Sequence, residues 1–284
     1  MTTNTITRTC EYHGDYTATQ LAPRIEGLDF GPIFSSCPTC NAQREKERRE
    51  HEERDREAHA HRLQEGARLA IEGTAVPRRF LGAVFDGETP LHLQLAAYAD
   101  AIEDHVSAGT GLVLLGPPGG GKTYGFAALL TRLAREHWEQ SVEGASPHAV
   151  LQYLETAART GIAYANASHI GLQVRGTFRR DAEQTEAELL EHYAGQRLLA
   201  LDEVGGAADD HSRQWVAQIV CERYERQRPT LLATNLVRRD LEQYLGSRAA
   251  DRLTETCRFI AMTGPSRRRA TAVSTANNSA RGAA

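Results

Sequence analysis

From residue 77 to about 263, short apolar runs alternate with amphipathic stretches, the pattern of a parallel α/β sheet covered by helices. The runs predict strands at 111–115, 162–166, 197–201, 230–233 and 257–262. Between them the 3.6-residue period predicts helices at 90–107, 122–140, 147–160, from about 168, and at 183–194, 210–226, 238–245 and 247–255. Ser146 as N-cap, Pro147 at the first helical position and Gly161 past the end frame the third of these, with Val150, Leu151, Leu154 and Ala158 on one face. Ahead of this region the pattern fails. Residues 1–40 hold few apolar side chains, and 41–72 mix charges with almost no large apolar residue before Leu63. Glu45–Arg49, Glu50–Arg54 and Glu52–Arg56 stand at i,i+4 there, which reads as a solvated helical spacer. Gly73 to Pro77 ends that helix. The expected organisation is a small module at 1–40, a charged helical linker at 41–76, the α/β domain at 77–264 and a basic, disordered tail at 265–284.

Composition narrows the class. With 40% hydrophobic and 25% charged residues, the 284-residue chain can build a packed core. A formal charge of −4 argues against a broadly basic coat for nucleic acid, so any such contact must be a local patch. No apolar run approaches the ~18 residues that span a bilayer, and the opening residues carry no apolar signal core. The expectation is a cytoplasmic chain with no membrane partner.

Of the 33 basic side chains only Lys46 and Lys122 are lysine. A lysine kept in so arginine-rich a chain marks a place that wants a compact point charge. Lys46 sits in the charged spacer; Lys122 sits in Gly116-Pro117-Pro118-Gly119-Gly120-Gly121-Lys122-Thr123, followed by Tyr124. This fits GxxxxGK[ST] between an apolar strand and a helix, where glycine amides and the helix N-terminus cradle phosphates. Lys122 would reach the β/γ-phosphates of ATP, and the Thr123 hydroxyl would ligate Mg²⁺. The strand Leu198-Leu-Ala-Leu-Asp202-Glu203 ends in two carboxylates: Asp202 to hold Mg²⁺ through water, Glu203 to polarise an attacking water. Asn235, closing the strand that begins at Thr230, stands where a residue would position that water.

These motifs, with the Leu245-Gly-Ser-Arg-Ala-Ala-Asp-Arg-Leu253 stretch and Gly264-Pro-Ser-Arg-Arg268, occur in the order seen in AAA+ ATPases. More narrowly, the chain resembles the DnaC/DnaI-type replicative helicase loaders and the related IstB transposition helpers, over about residues 77–268. The resemblance implies a P-loop AAA+ parallel sheet flanked by helices, ATP hydrolysis, and self-association in a head-to-tail ring or spiral. It implies that Arg252 is an arginine finger for a neighbouring subunit, with Arg248 the weaker candidate. Arg268 would be the second sensor, contacting nucleotide, with Arg267 next in line. It also implies a single-stranded DNA contact in the helical insertion before the acidic strand, where Gln173-Val-Arg-Gly-Thr-Phe-Arg-Arg180 stands. There Phe178 either stacks on a base, with Arg175, Arg179 and Arg180 on phosphates, or packs in the core. Residues 141–161 match nothing in that pattern.

Cys10-Glu-Tyr-His13 and Cys37-Pro-Thr-Cys40 have the CxxH and CxxC spacing of metal knuckles. A segment with so few apolar residues needs a staple, and Zn²⁺ held by Cys10, His13, Cys37 and Cys40 would supply it. A redox CxxC would want a thioredoxin-like βαβ context, which is absent; unrelated surface cysteines are the other alternative. Cys221 and Cys257 fall in helix and strand patterns and are expected to be buried. In the loaders a zinc-binding N-terminal domain engages the hexameric replicative helicase, which implies a docking role here. The leading expectation is thus an ATP-dependent helicase loader acting in DNA replication. Its alternatives are an IstB-like helper of a transposase, and a zinc nucleic-acid-binding protein that uses nucleotide as a switch.

Overall fold

A computed structural model describes residues 4–21, 33–179, 182–206 and 210–262. They fall into two compact units that divide between Arg62 and Leu63. The first opens with an antiparallel hairpin, β1 (Thr5–Cys10) and β2 (Gly14–Leu21), registered from Thr5 opposite Thr19 to Cys10 opposite Gly14. A two-residue strand, β3 (Ile33–Phe34), pairs with the end of β2. Among the described residues before the helix only Ala18 and Cys37 are buried. The described residues of this module thus offer little hydrophobic core to fold around.

Helix α1 (Pro38–Gly73) then runs 36 residues, about 54 Å at 1.5 Å per residue. Its first turns are solvated on all sides and laced by surface ion pairs: Glu45–Arg49 at 2.6 Å, Arg48–Glu52 at 3.1 Å and Lys46–Glu50 at 3.8 Å. Arg48 takes the Glu52 carboxylate that the sequence pattern offered to Arg56. Each such pair contributes only about 0.2–0.5 kcal/mol. From Leu63 onward the helix changes character and belongs to the second unit. Trp138 donates its indole N–H to the Leu63 carbonyl (3.0 Å), and a Cβ on Gly66 would lie 1.9 Å from the Trp138 ring. Only glycine allows that approach.

The second unit continues with α2 (Pro90–Asp100), α3 (Ile102–Ala108), β4 (Gly111–Leu115), α4 (Lys122–Val142), α5 (Pro147–Leu154), β5 (Ile162–Asn166), α6 (Ala167–Thr177) and α7 (Glu186–Ala194). It closes with β6 (Leu198–Val204), α8 (Asp210–Glu225), β7 (Thr230–Thr234), α9 (Arg238–Leu245), α10 (Ser247–Thr256) and β8 (Cys257–Ala261). The five strands form one parallel sheet in the order β5-β6-β7-β4-β8. Strand parity sorts the side chains onto two covered faces. Leu112, Leu114, Leu198, Ala200 and Leu231 pack toward α2 and α4, with Phe126, Leu129 and Leu130 fully buried there. Val113, Leu199, Leu201 and Leu232 pack toward α6, α8 and α10. Each fully buried Leu or Phe side chain is worth about 1.5–3 kcal/mol relative to exposure.

Three predicted elements differ. The 90–107 helix is broken at Ala101 (φ −107°, ψ 26°), which lets Ile102 join the core. The helix capped by Ser146 ends at Leu154, not before Gly161, and Leu151 faces solvent. Beyond it the Ala158 backbone lies against Gly73, where a Cβ would meet the Ala158 carbonyl at 2.2 Å. The helix predicted from 183 starts instead at Glu186, behind a Thr185–Glu188 capping box. No helix among the described residues is long and apolar enough to cross a membrane. The predicted tail, with Arg267 and Arg268, lies outside the described residues, as does Arg180.

Candidate nucleotide cleft and metal cluster

The cleft grows out of sheet parity. Along β6, Leu198 and Ala200 face α4, so Asp202 points the same way, beneath the loop that joins β4 to α4. That loop is the glycine-rich segment. Gly119 (φ 84°) and Gly121 (φ 93°) occupy backbone conformations that favour glycine, and Gly121 caps α4. The result is a cavity of about 480 Å³ lined by Pro118, Gly119, Gly121, Lys122, Thr123 and Tyr124 of the loop and helix. Asp202, Glu203 and Asn235 complete that side of it. Lys122, Thr123, Asp202, Glu203 and Asn235 thus come together from three separate strand ends, whereas Gly116, Pro117 and Gly120 do not line the cavity and Arg268 lies outside the described residues.

Lys122 is buried, and its ammonium donates to the carbonyls of Gly116 (2.7 Å) and Pro117 (2.9 Å) and to Asn235 Oδ1 (2.8 Å). Asp202 is 1% exposed. Its Oδ1 accepts the Glu203 amide (2.8 Å) and its Oδ2 accepts the Tyr164 hydroxyl (2.9 Å). Glu203 leaves strand geometry at φ 56°, which swings its carboxylate out of the sheet to the rim. There its Oε2 accepts the Asn166 amide at 2.7 Å. Asn166 also caps α6, accepting the Ser168 N–H at 2.9 Å.

The opposite end of the cavity is aromatic. His92 stacks on Tyr124 (centroids 5.7 Å), and Phe80 meets the same ring edge-on (6.2 Å), with Arg79 beside them. This wall suits a flat base. Asp86 holds His92 (Nδ1–Oδ1 2.8 Å), and the Thr89 amide, first among several donors, keeps the Asp86 carboxyl well below the usual range. Sequence reasoning missed Arg79, Phe80, Asp86, His92, Tyr164 and Asn166. Only the sheet order, which sets β5 beside β6, reveals the last two. The chemistry of the donors fits ATP with Mg²⁺: amides and a cation for phosphates, a hydroxyl and a buried carboxylate for the metal.

Arg248 and Arg252 lie elsewhere. They line a separate cavity with Cys221, Glu225 and Ser247, which shares no residue with the nucleotide cleft. Arg252 donates to Glu225 (2.5 Å) and to the Cys221 carbonyl (3.1 Å), and its guanidinium lies over the Tyr224 ring. The Arg248 side chain is 77% exposed. Cys257 is buried, and burial pushes its thiol up to about 11; Cys221 is only half-buried, short of the burial expected for it. Phe178 is 62% exposed at the end of α6, so it is not a core residue.

In the first unit, the β1–β2 turn carries Cys10 and His13, while Cys37 and Cys40 flank the start of α1. The four ligand atoms all lie within 4.8 Å of one another. Cys10 Sγ is 3.6 Å from Cys40 Sγ, and His13 Nδ1 is 3.7, 3.8 and 3.3 Å from the sulfurs of Cys10, Cys37 and Cys40. A tetrahedron with Zn–S of about 2.3 Å and Zn–N of about 2.0 Å has edges of about 3.5–3.8 Å. The four separations above, 3.3–3.8 Å, lie close to those edges. The Tyr12 amide, first, and the His13 ring bring the Cys10 thiol down to about 6, while the Cys10 sulfur pushes Cys40 up to about 11. Thiols that oppose each other's ionisation are relieved by a shared cation.

No known family profile matches the sequence, and no curated protein does. Solved structures do. The DnaC helicase loader matches at 18% identity over 66% of this chain and 100% of that one, with a TM-score of 0.48. DnaI matches at 20% identity over 67% of this chain and 93% of that one, with a TM-score of 0.46. A putative primosome component from Streptococcus pyogenes serotype M3 matches at 21% identity over 70% of this chain and 97% of that one, with a TM-score of 0.48. Over about two thirds of its length, this chain is similar to helicase-loader structures of the DnaC and DnaI kind.

Proposed function

We propose that the protein is an ATP-dependent loader of a replicative DNA helicase. The observation that carries the ATPase half of this reading is the convergence of Lys122, Thr123, Asp202, Glu203 and Asn235 in one cleft with an aromatic wall. Lys122 would exchange its loop carbonyls for phosphate oxygens, and Thr123 with Asp202 would hold Mg²⁺, which neutralises charge on the transferred phosphoryl group. Glu203, aimed by Asn166, polarises the attacking water, and Asn235 positions it. The motif order from Gly116 to Leu253 and the metal cluster ahead of the motor support the loader half. In this reading the Zn²⁺-bound unit docks the hexameric helicase, and copies of the chain assemble head to tail with Arg252 or Arg248 facing the next subunit's nucleotide. Domain limits at 1–40, 41–76 and 77–264 are proposed for that division of labour, with the turns of α1 from Leu63 packed onto the motor. Pull-down with the replicative helicase in ATP tests it: retention that needs ATP and intact Cys37 supports the loader, and retention of a transposase alone would favour the transposition reading.

Single-stranded DNA is the second partner in this reading. Phe178 offers an exposed ring near His211 (centroids 6.1 Å), with Arg175 and Arg179 on the same short stretch. Phe178→Ala should weaken binding to single-stranded DNA by about 1–3 kcal/mol, the value of one base–aromatic stack. Its melting temperature should hold, since an exposed ring adds little to stability. Unchanged DNA affinity in a filter-binding or anisotropy titration would remove Phe178 from the interface.

A further inference from the structure

We propose that Tyr164 is a positioning residue for the magnesium carboxylate, acting through Asp202; this rests on the nucleotide reading of the cleft. Tyr164 lies on β5, the edge strand, opposite Ala200 of β6, and shares its face with Ile162 and Asn166. That parity sets its phenol beside the last α4-facing residue of β6, which is Asp202. The hydroxyl donates to Asp202 Oδ2 at 2.9 Å while the Glu203 amide donates to Oδ1 at 2.8 Å. Both carboxylate oxygens are therefore pinned, and the plane of the group is fixed within a site that is 1% exposed. Each oxygen keeps lone-pair capacity for the water shell of a metal ion.

Tyr164 is itself held from two sides. Its ring sits in the core between the sheet and α4, 8% exposed. Its backbone N–H donates to the Thr74 carbonyl at 2.7 Å, so the buried Thr74 just past α1 fixes the free edge of β5. One edge strand thus carries two hydrogen-bond donors, two residues apart, for the two adjacent carboxylates: Asn166 for Glu203 and Tyr164 for Asp202. Partners that orient a metal-holding group commonly change metal affinity about 10–100-fold when removed.

Tyr164→Phe keeps the ring and deletes only the donor. Binding of a fluorescent ATP analogue would be titrated with Mg²⁺, and separately measured in EDTA, for wild type, Tyr164→Phe, Asp202→Asn and the double variant. The expected result is unchanged affinity in EDTA and about a 10-fold rise in the Mg²⁺ concentration needed for the magnesium-dependent increment. In the double variant, Tyr164→Phe should add nothing to Asp202→Asn, because it acts through that carboxylate. Identical Mg²⁺ dependence in wild type and Tyr164→Phe would overturn the assignment. A parallel loss of affinity with and without Mg²⁺ would overturn it too, reducing Tyr164 to a packing residue. Wild-type protein that binds no ATP at all would instead overturn the nucleotide reading itself.

Discussion

Mixing Arg252→Ala protein with Lys122→Ala protein is expected to restore part of an ATPase activity that neither variant has alone. Lys122 belongs to the nucleotide cleft, and Arg252 lines a different cavity that shares no residue with it. In the proposed head-to-tail assembly, a cation so placed would serve the neighbouring copy rather than its own cleft. Supplied in trans, such a finger is worth about 10³–10⁵ in rate. Arg252→Ala should bind ATP normally and hydrolyse it poorly; Lys122→Ala should fail to bind. A mixture places some intact loops against intact fingers. Arg252 is anchored by Glu225, the Cys221 carbonyl and the Tyr224 ring, so its removal also loosens the contact of α10 with α8. Arg248→Ala is the control for that effect, because its side chain is 77% exposed and its loss leaves packing intact. If Arg248→Ala, and not Arg252→Ala, is rescued by Lys122→Ala, the finger is Arg248. No rescue of either, with assembly verified by sedimentation, removes both.

Removing the metal should unfold the first unit and spare the second. Structural Zn²⁺ contributes about 10–16 kcal/mol of apparent binding energy in small modules, and among the described residues before α1 only Ala18 and the proposed ligand Cys37 are buried. Protein purified without chelators should carry one zinc per chain. Chelation or Cys37→Ser should abolish amide protection across Thr5–Cys10 and Gly14–Leu21, while ATP binding by the second unit persists. Because the thiols and the His13 ring must be deprotonated to ligate, zinc should also be released as the pH falls. Metal analysis that finds none, or hairpin amides still protected after chelation, would contradict the assignment of Cys10, His13, Cys37 and Cys40.

Much of this was legible from the chain alone because its signals are local. The strand 111–115, the loop before Lys122 and the strand 162–166 depend on runs of a few residues, and the structure reproduces them. The same holds for 238–245. The cysteine knuckles declare themselves by spacing, although nothing local says that the two knuckles meet. What escaped depends on neighbours distant in sequence. Tyr164 reads as one more apolar strand residue until β5 is set beside β6, and Asn166 reads only as the end of that strand, though it also caps α6. Arg223 looks like any other arginine of a helix, yet it is fully buried, where it donates to the carbonyls of Tyr193, Ala194, Gln196 and Pro229. Burial pushes its pKa down to about 9. The spacer shows the converse limit: its pattern marks a helix that turns apolar only at Leu63, but nothing local says that those turns join the second unit, where Gly66 makes room for Trp138 from 72 residues away.

The most direct test of the whole account is ATP binding and hydrolysis by Glu203→Gln beside wild type. The glutamine keeps the shape of the side chain at the rim and its contact with Asn166, but it cannot take a proton from water. Glu203→Gln should bind ATP with near-wild-type affinity and hydrolyse it about 10²–10⁴-fold more slowly, the usual effect of losing a general base. Hydrolysis at the wild-type rate, in protein shown to bind ATP, would contradict the assignment of this cleft as the site where the nucleotide is cleaved.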